Sequence, residues 1–513
     1  MREDGVVAQR ADQEAHQKTQ PEQREMAQTT QESSESPAPR LPAVGTGVRG
    51  LDFILEGGLP AGRPTLIRGG PGSGKTAIAL TFLCYGLEQG EPGVLVTFDE
   101  SPEALIAHAE GLGMPLRSHI AAGRAQVLDM RPNRSEVVAG QALELTAVLS
   151  RIGYALDRVG AQRLVVDAID GMGDAFDVDL GLRSEIARVF DWLREQQTTT
   201  VITVGEQSDF SARYGLEDYI ADCVILLRQE IKQRLMTRLL RVLKRRGGGH
   251  GTNEFPFLLD ADGVFLAPVT GVDLRTETYT DRHSTGVPGL DAMLGGGGPY
   301  RGSAMMISGQ SGTGKTSFAA AFACAVCDEG EHVLYLSFEE SDAELVRNQR
   351  SVGLDLTRHL TPGGSGQLTL RPLLPAELGW EEHLLRIMRA VDELQPSVVI
   401  IDPISALADR RLEGQGKEML LRLFYRLKKA GITVLATELL TDASAGVSSL
   451  DVSSIIDVWV KLRRDEGAER LRRLITVVKA RGLPTADEVE VFCFTERGVT
   501  VGEQRSLPSR EGP

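Results

Sequence analysis

Long apolar runs are missing from this chain. No stretch approaches the roughly 18 apolar residues that a membrane span needs, and the N-terminus is polar, rich in Gln and Glu, with no apolar segment of the signal-peptide kind. A cytoplasmic protein without a membrane partner is the expectation. Cysteine is sparse too: Cys84, Cys223, Cys324, Cys327 and Cys493 are few and odd in number, which excludes a secreted disulfide framework. Cys324 and Cys327 form a C-x-x-C, yet no second pair completes a zinc site. They fall in the apolar run FAAAFACAVC, which reads as buried helix. Positive charge is in deficit, with 56 Lys and Arg against 71 Asp and Glu and a net charge of −15. That balance opposes bulk attraction to nucleic acid or anionic lipid. Aromatics are only 5% of the chain, and no basic loop is interleaved with them for base stacking.

What is present is length and repetition. At 513 residues the chain exceeds what one core usually holds, about 250 to 300 residues. Residues 1–43 are poor in hydrophobics and end in SESPAPRLP, which reads as a disordered leader. From Thr46, TGVRGLDFILEGGLPAGRPTLIRGGPGSGKT is echoed from Thr285 by TGVPGLDAMLGGGGPYRGSAMMISGQSGTGKT. Lys75 and Lys315 stand 240 apart, as do Glu100 and Glu340, while Asp167 and Asp402, Asp222 and Asp457, and Lys244 and Lys479 stand 235 apart. The repeat is therefore a whole domain. Domain 1 is expected at 44–268, a linker at 269–281, domain 2 at 282–503 and a short polar tail at 504–513.

In each half, short apolar runs such as GVLVTF, RLVVDAI and HVLYLSF alternate with stretches of helical periodicity. This predicts an α/β class: two tandem RecA-like P-loop domains, each a mostly parallel sheet flanked by helices. The ends of both halves read as antiparallel strands, a terminal β-hairpin region.

G-x-x-x-x-G-K-[ST] occurs twice, each time between an apolar strand and a helix. The first copy is Gly69, Gly70, Pro71, Gly72, Ser73, Gly74, Lys75 and Thr76, and the second is Gly309, Gln310, Ser311, Gly312, Thr313, Gly314, Lys315 and Thr316. Glycines let backbone N–H groups turn in around phosphates, the lysine reaches the terminal phosphates, and the threonine hydroxyl ligates Mg²⁺. ATP and Mg²⁺ are the expected cofactors. Asp167 and Asp402 end the strands RLVVD and VVIID, the position from which a carboxylate supports Mg²⁺. Adjacent acids follow another strand in each half, Asp99 and Glu100 in VTFDES and Glu339 and Glu340 in LSFEES. One acid per site is the expected base, with Glu100 and Glu340 the preferred choices. Just beyond them, Ser101-Pro102 and Ser341 to Glu344 read as helix caps. Two basic strips end in Lys244-Arg245-Arg246-Gly247 and Lys479-Ala480-Arg481-Gly482, and a cation at a hairpin end can reach a neighbouring subunit's phosphate.

These motifs resemble the KaiC family from Thr46 to about residue 503. The resemblance implies two stacked RecA-like rings in a homo-hexamer, ATPase activity in the first domain and autophosphorylation in the second. It implies that the paired acids supply the base, and that Lys244, Arg246, Lys479 and Arg481 act across subunits. VSSIIDVWVKL places Ser453 and Ser454 where the family carries a phosphorylated Ser-Thr pair, whereas the first half has Asp218 and Tyr219 there. KaiB-like, response-regulator or histidine-kinase proteins are the partner candidates. The first acid pair is Asp-Glu rather than two glutamates, and a long C-terminal docking element for KaiA is not evident, so a KaiA-type partner is not expected and a circadian role does not follow from the resemblance. A DNA-dependent motor on the same fold and a nucleotide-gated scaffold with negligible turnover are the alternatives. The acidic balance opposes the first, and two complete catalytic sets oppose the second.

Overall fold

The computed structural model describes residues 41–131, 145–170, 182–205, 220–232, 235–267, 279–360, 366–373, 379–407, 415–440, 454–465, 472–485 and 488–502. Asp218, Tyr219 and Ser453 lie outside them.

Each half builds a nine-stranded sheet with the same order. In the first it runs Gly263–Leu266, Glu254–Asp260, Leu235–Arg245, Cys223–Lys232, Pro64–Gly69, Thr199–Gly205, Arg163–Asp167, Gly93–Thr97, Ala125–Asp129. The six strands from Cys223–Lys232 onward are parallel, and the others are antiparallel. The second sheet repeats this as Gly498–Val501, Glu490–Thr495, Arg472–Ala480, Val458–Asp465, Ala304–Gly309, Thr433–Leu439, Val398–Asp402, Val333–Ser337, Leu368–Pro372. The α/β class, the mostly parallel sheets and the terminal hairpin regions are those the sequence predicts.

The central strands are apolar on both faces because both are covered by helices. Successive residues point to opposite faces, and one domain therefore has two cores. Leu95 and Val165 join the cluster on the P-loop helix Lys75–Glu88, whereas Val94, Val96, Leu164 and Val166 pack beneath Leu145–Val159 and Leu182–Glu195. The second P-loop helix, Lys315–Asp328, is buried nearly all round. Cys324 and Cys327 sit on it as buried thiols, and burial pushes the Cys327 thiol up to about 12.

The two halves share a core. Leu258, Phe265 and Ala267 of the first domain's last hairpin pack with Leu384, Leu385 and Met388 of helix Trp380–Leu394. Arg389 from that helix reaches back, its Nη1 donating to both Asp260 oxygens at 2.9 and 3.0 Å, with its guanidinium 5.3 Å from the Phe265 ring. Among the described residues no helix is long and apolar enough to cross a membrane.

Candidate active site

Each P-loop begins where a central strand meets its helix, at the C-terminal edge of the parallel strands, the usual ligand edge of such sheets. Gly72 and Gly74 have φ of +71° and +99°, and Gly312 and Gly314 have +69° and +105°. Only glycine adopts these values without strain, and a Cβ on Gly314 would lie 2.5 Å from the Phe494 ring. Both lysines fold back over their loops. Lys75 Nζ donates to Gly69 O at 2.8 Å and Gly70 O at 3.1 Å, and Lys315 Nζ donates to Gly309 O and Gln310 O, both at 3.0 Å. Desolvation lowers the Lys315 pKa, against the charges of Asp402 and Glu339. The second loop carries an additional cation, Arg464, whose Nη2 donates to Gly312 O at 2.6 Å.

Asp167 and Asp402 are buried beside the loops, 5% and 6% exposed. Thr76 Oγ1 donates to Asp167 Oδ2 at 3.0 Å, and Thr203 Oγ1 also donates to this carboxylate. Desolvation raises the Asp167 pKa and the Asp99 charge adds to it, while the Thr203 and Thr76 hydrogen bonds and Lys75 oppose. In the second domain Tyr335 Oη donates to Asp402 Oδ2 at 2.7 Å, and Thr437 Oγ1 donates to Oδ1. A buried carboxylate held by hydroxyls beside a P-loop threonine fits a divalent ion. The residues at both sites fit Mg·ATP. Thr203, Thr437 and Tyr335 were not singled out from the sequence. Threonines and tyrosines inside strands are unremarkable, and only pairing of Thr199–Gly205, Thr433–Leu439 and Val333–Ser337 beside the aspartate strands brings them to the site.

The acid pairs divide their labour. Glu339 feels Asp402 and Lys315: desolvation raises its pKa first, then the Asp402 charge, with Lys315 pulling it down. Asp99 is likewise within electrostatic reach of Asp167. Glu340 is tied elsewhere, its Oε1 accepting from Asn348 Nδ2 at 2.8 Å, with Oε2 buried and unpartnered. Asp99 and Glu100 are both exposed, and the Glu100 carbonyl accepts from Thr97 Oγ1 at 2.6 Å. The caps beyond form as expected, with Ser101 accepting from Ala104 N and Ser341 in a capping box with Glu344.

The basic strips end far from their own loops. Arg246 N bonds Asp222 O and Arg481 N bonds Asp457 O, with guanidinium contacts to the same aspartates at 3.5 and 3.8 Å. Lys479 Nζ donates to Ile456 O at 2.7 Å, while Lys244 pairs opposite Val224. Asp457 N in turn bonds Ala304 O, the start of the strand whose other end is Gly309. A six-residue strand spans roughly 17 Å, so Arg481, Lys479 and the exposed turn residue Ser454 lie at the sheet edge opposite their own phosphate loop.

The family model described as "ATPase: KaiC" matches residues 44–270 and again 283–506. The chain is 38% identical over 464 residues to "Circadian clock protein KaiC2" of Synechocystis sp., covering 89% of this chain and 81% of that protein. It is 31% identical over 467 residues to "Circadian clock oscillator protein KaiC" of Parathermosynechococcus lividus, covering 90% and 85%. To the protein of the same name from Synechococcus elongatus it is 31% identical over 480 residues, covering 92% and 91%. With two P-loops, two buried aspartates and two acid pairs carried on a doubled sheet, the chain belongs to the KaiC family of ATPases.

Proposed function

We propose that this KaiC-family ATPase works as a cytoplasmic homo-hexameric ring in which the first domain, 44–268, hydrolyses ATP and the second, 282–503, phosphorylates itself. The acceptors are Ser453 and Ser454. The observation that carries this reading is the position of Ser454 at the sheet edge remote from its own P-loop. A chain cannot bring that hydroxyl to its own γ-phosphate without unravelling the strand between them. A neighbour in a ring can. Arg246 and Arg481, 51% and 54% exposed, stand at the same edge and serve the neighbour's phosphates in the same way.

In the transfer, the serine Oγ bonds to the γ-phosphorus as the bond to the β,γ-bridging oxygen breaks, leaving ADP, and the hydroxyl proton passes to the Glu339 carboxylate. Lys315 and the backbone N–H groups of the loop hold the phosphates in line, so positioning supplies most of the rate. Thr316 and Asp402 would hold Mg²⁺, which would supply charge stabilisation there. The first domain runs the same chemistry with water as acceptor, using Lys75, Thr76 and Asp167, with Asp99 beside the last.

Incubation with Mg·ATP followed by phosphopeptide mapping tests the autokinase. Phosphate is expected on the peptide carrying Ser453 and Ser454, and none after Ser453→Ala with Ser454→Ala. An unmodified wild-type peptide in the assembled, ATP-bound protein would leave an ATPase alone.

Subunit mixing tests the trans arrangement. Arg481→Ala should lower phosphorylation roughly 10³-fold, the size of an arginine-finger effect, while nucleotide still binds. Mixed rings of Arg481→Ala and Lys315→Ala chains should regain activity, because a Lys315 site then meets a neighbour's Arg481. Full activity from a dilute monomer would contradict it.

A further inference from the structure

At the far end of the second P-loop helix, away from Lys315, two buried polar atoms lack partners. The helix Lys315–Asp328 is C-capped by Glu329 and places this spot about 20 Å from the phosphate loop. His283 is 1% exposed, and its Nδ1 has no hydrogen-bond partner. Neither does Glu331 Oε2. Glu329 Oε2 lies 3.6 Å from His283 Nδ1, and one ligand atom from each of the three residues falls within 4.8 Å of the others.

The first domain shows what such a spot requires. There a buried side-chain cation fills it: Arg163 donates to Glu91 Oε2 at 2.5 Å, to Gly45 O at 2.9 Å and to Phe82 O at 2.7 Å. Gly86 makes room, since a Cβ there would lie 2.1 Å from Arg163 Nε. The second domain keeps the acid, because Glu331 N bonds Val326 O as Glu91 N bonds Gly86 O. It drops the buried Arg163 guanidinium: strand register puts Val398 opposite Val333 where Arg163 stands opposite Gly93, and Val326 replaces Gly86. Arg301, less buried than Arg163, pairs instead with Glu331 Oε1. His283 and Glu329 are added where the first half has Val44 and Gln89.

We propose that His283 Nδ1, Glu329 and Glu331 Oε2 bind a zinc ion that replaces the Arg163 guanidinium and clamps the start of domain 2 to the end of its P-loop helix. Imidazole and carboxylate are both ligand types that zinc takes, and three protein ligands leave a fourth position for water. Tetrahedral ligands at about 2.0 to 2.2 Å from zinc sit roughly 3.5 Å apart, so the trio needs to contract by about 1 Å. The half-exposed Glu329 side chain has the freedom to do so. The carbonyl end of the helix favours a cation.

The test uses untagged full-length protein, free of nucleotide and Mg²⁺, dialysed against ZnCl₂, with bound metal counted by elemental mass spectrometry. One zinc per chain and a rise in unfolding temperature are expected. Glu329→Gln, at an exposed position, should weaken binding at least roughly tenfold without changing the circular dichroism of the metal-free protein, and His283→Gln should do the same. Cobalt in place of zinc should give visible bands without sulfur-to-metal charge transfer. Failure of the wild type to bind zinc, equal retention by both variants, or a thiolate band assigning the metal to Cys324 and Cys327 would overturn the proposal.

Discussion

Replacing Lys315 with alanine should reduce bound nucleotide from two per chain to one, and Lys75→Ala should remove the other. Each Nζ hangs over its loop on two backbone carbonyls, the place where an incoming phosphate chain exchanges those contacts for its own. Turnover in the affected domain should fall at least 10²-fold, as when a preorganised electrostatic partner of the transition state is removed. The untouched domain should keep its nucleotide. Equilibrium dialysis against radiolabelled ATP counts the sites, and the double variant should bind none. Two nucleotides retained by the double variant with native affinity would show that the loops are not the binding sites.

The second large effect is expected at Glu339 rather than Glu340. Glu339→Gln in a Lys75→Ala background, where only the second domain turns over, should lower phosphoryl transfer by about 10² to 10⁴, the usual contribution of a general base. Glu340→Gln should fall well short of the roughly 10²-fold loss of a general base, since that side chain's Oε1 accepts from Asn348 rather than from a group of the P-loop. The pH profile separates them further. A base works deprotonated, and desolvation with the Asp402 charge raises the Glu339 pKa. The rate should therefore rise with pH through an inflection above the ordinary carboxylate range and be flat beyond it, and Glu339→Gln should lack that inflection. A Glu339→Gln protein that transfers phosphate at the wild-type rate would assign the base elsewhere.

Much of this was legible in the sequence, for physical reasons. G-x-x-x-x-G-K-T between an apolar run and a helix leaves the backbone few alternatives, and its recurrence in register made the doubling plain. Runs such as LVVD and VIID are apolar on both faces, which implied parallel strands buried between helices. What resisted reading was which side a residue faces. The sequence favours Glu100 and Glu340, and these are consecutive with Asp99 and Glu339 just past a strand, where the pattern alone does not separate neighbours. Electrostatic coupling to the buried aspartates runs through Asp99 and Glu339. The hydroxyls of Thr203, Thr437 and Tyr335 depend on strand order, which no local pattern encodes. The exchange of Gly86 and Arg163 for Val326 and Val398 needs the register of both sheets to be seen at all. Ser453 lies outside the described residues, and its role rests on its neighbour Ser454.

In the proposed function phosphate passes to water in the first domain and to serine in the second. The most direct measurement is the fate of γ-³²P in a single turnover of assembled Lys75→Ala and Lys315→Ala proteins. Label should appear on the protein in Lys75→Ala and only as inorganic phosphate in Lys315→Ala. Label on the Lys315→Ala protein, or none on Lys75→Ala, would contradict it.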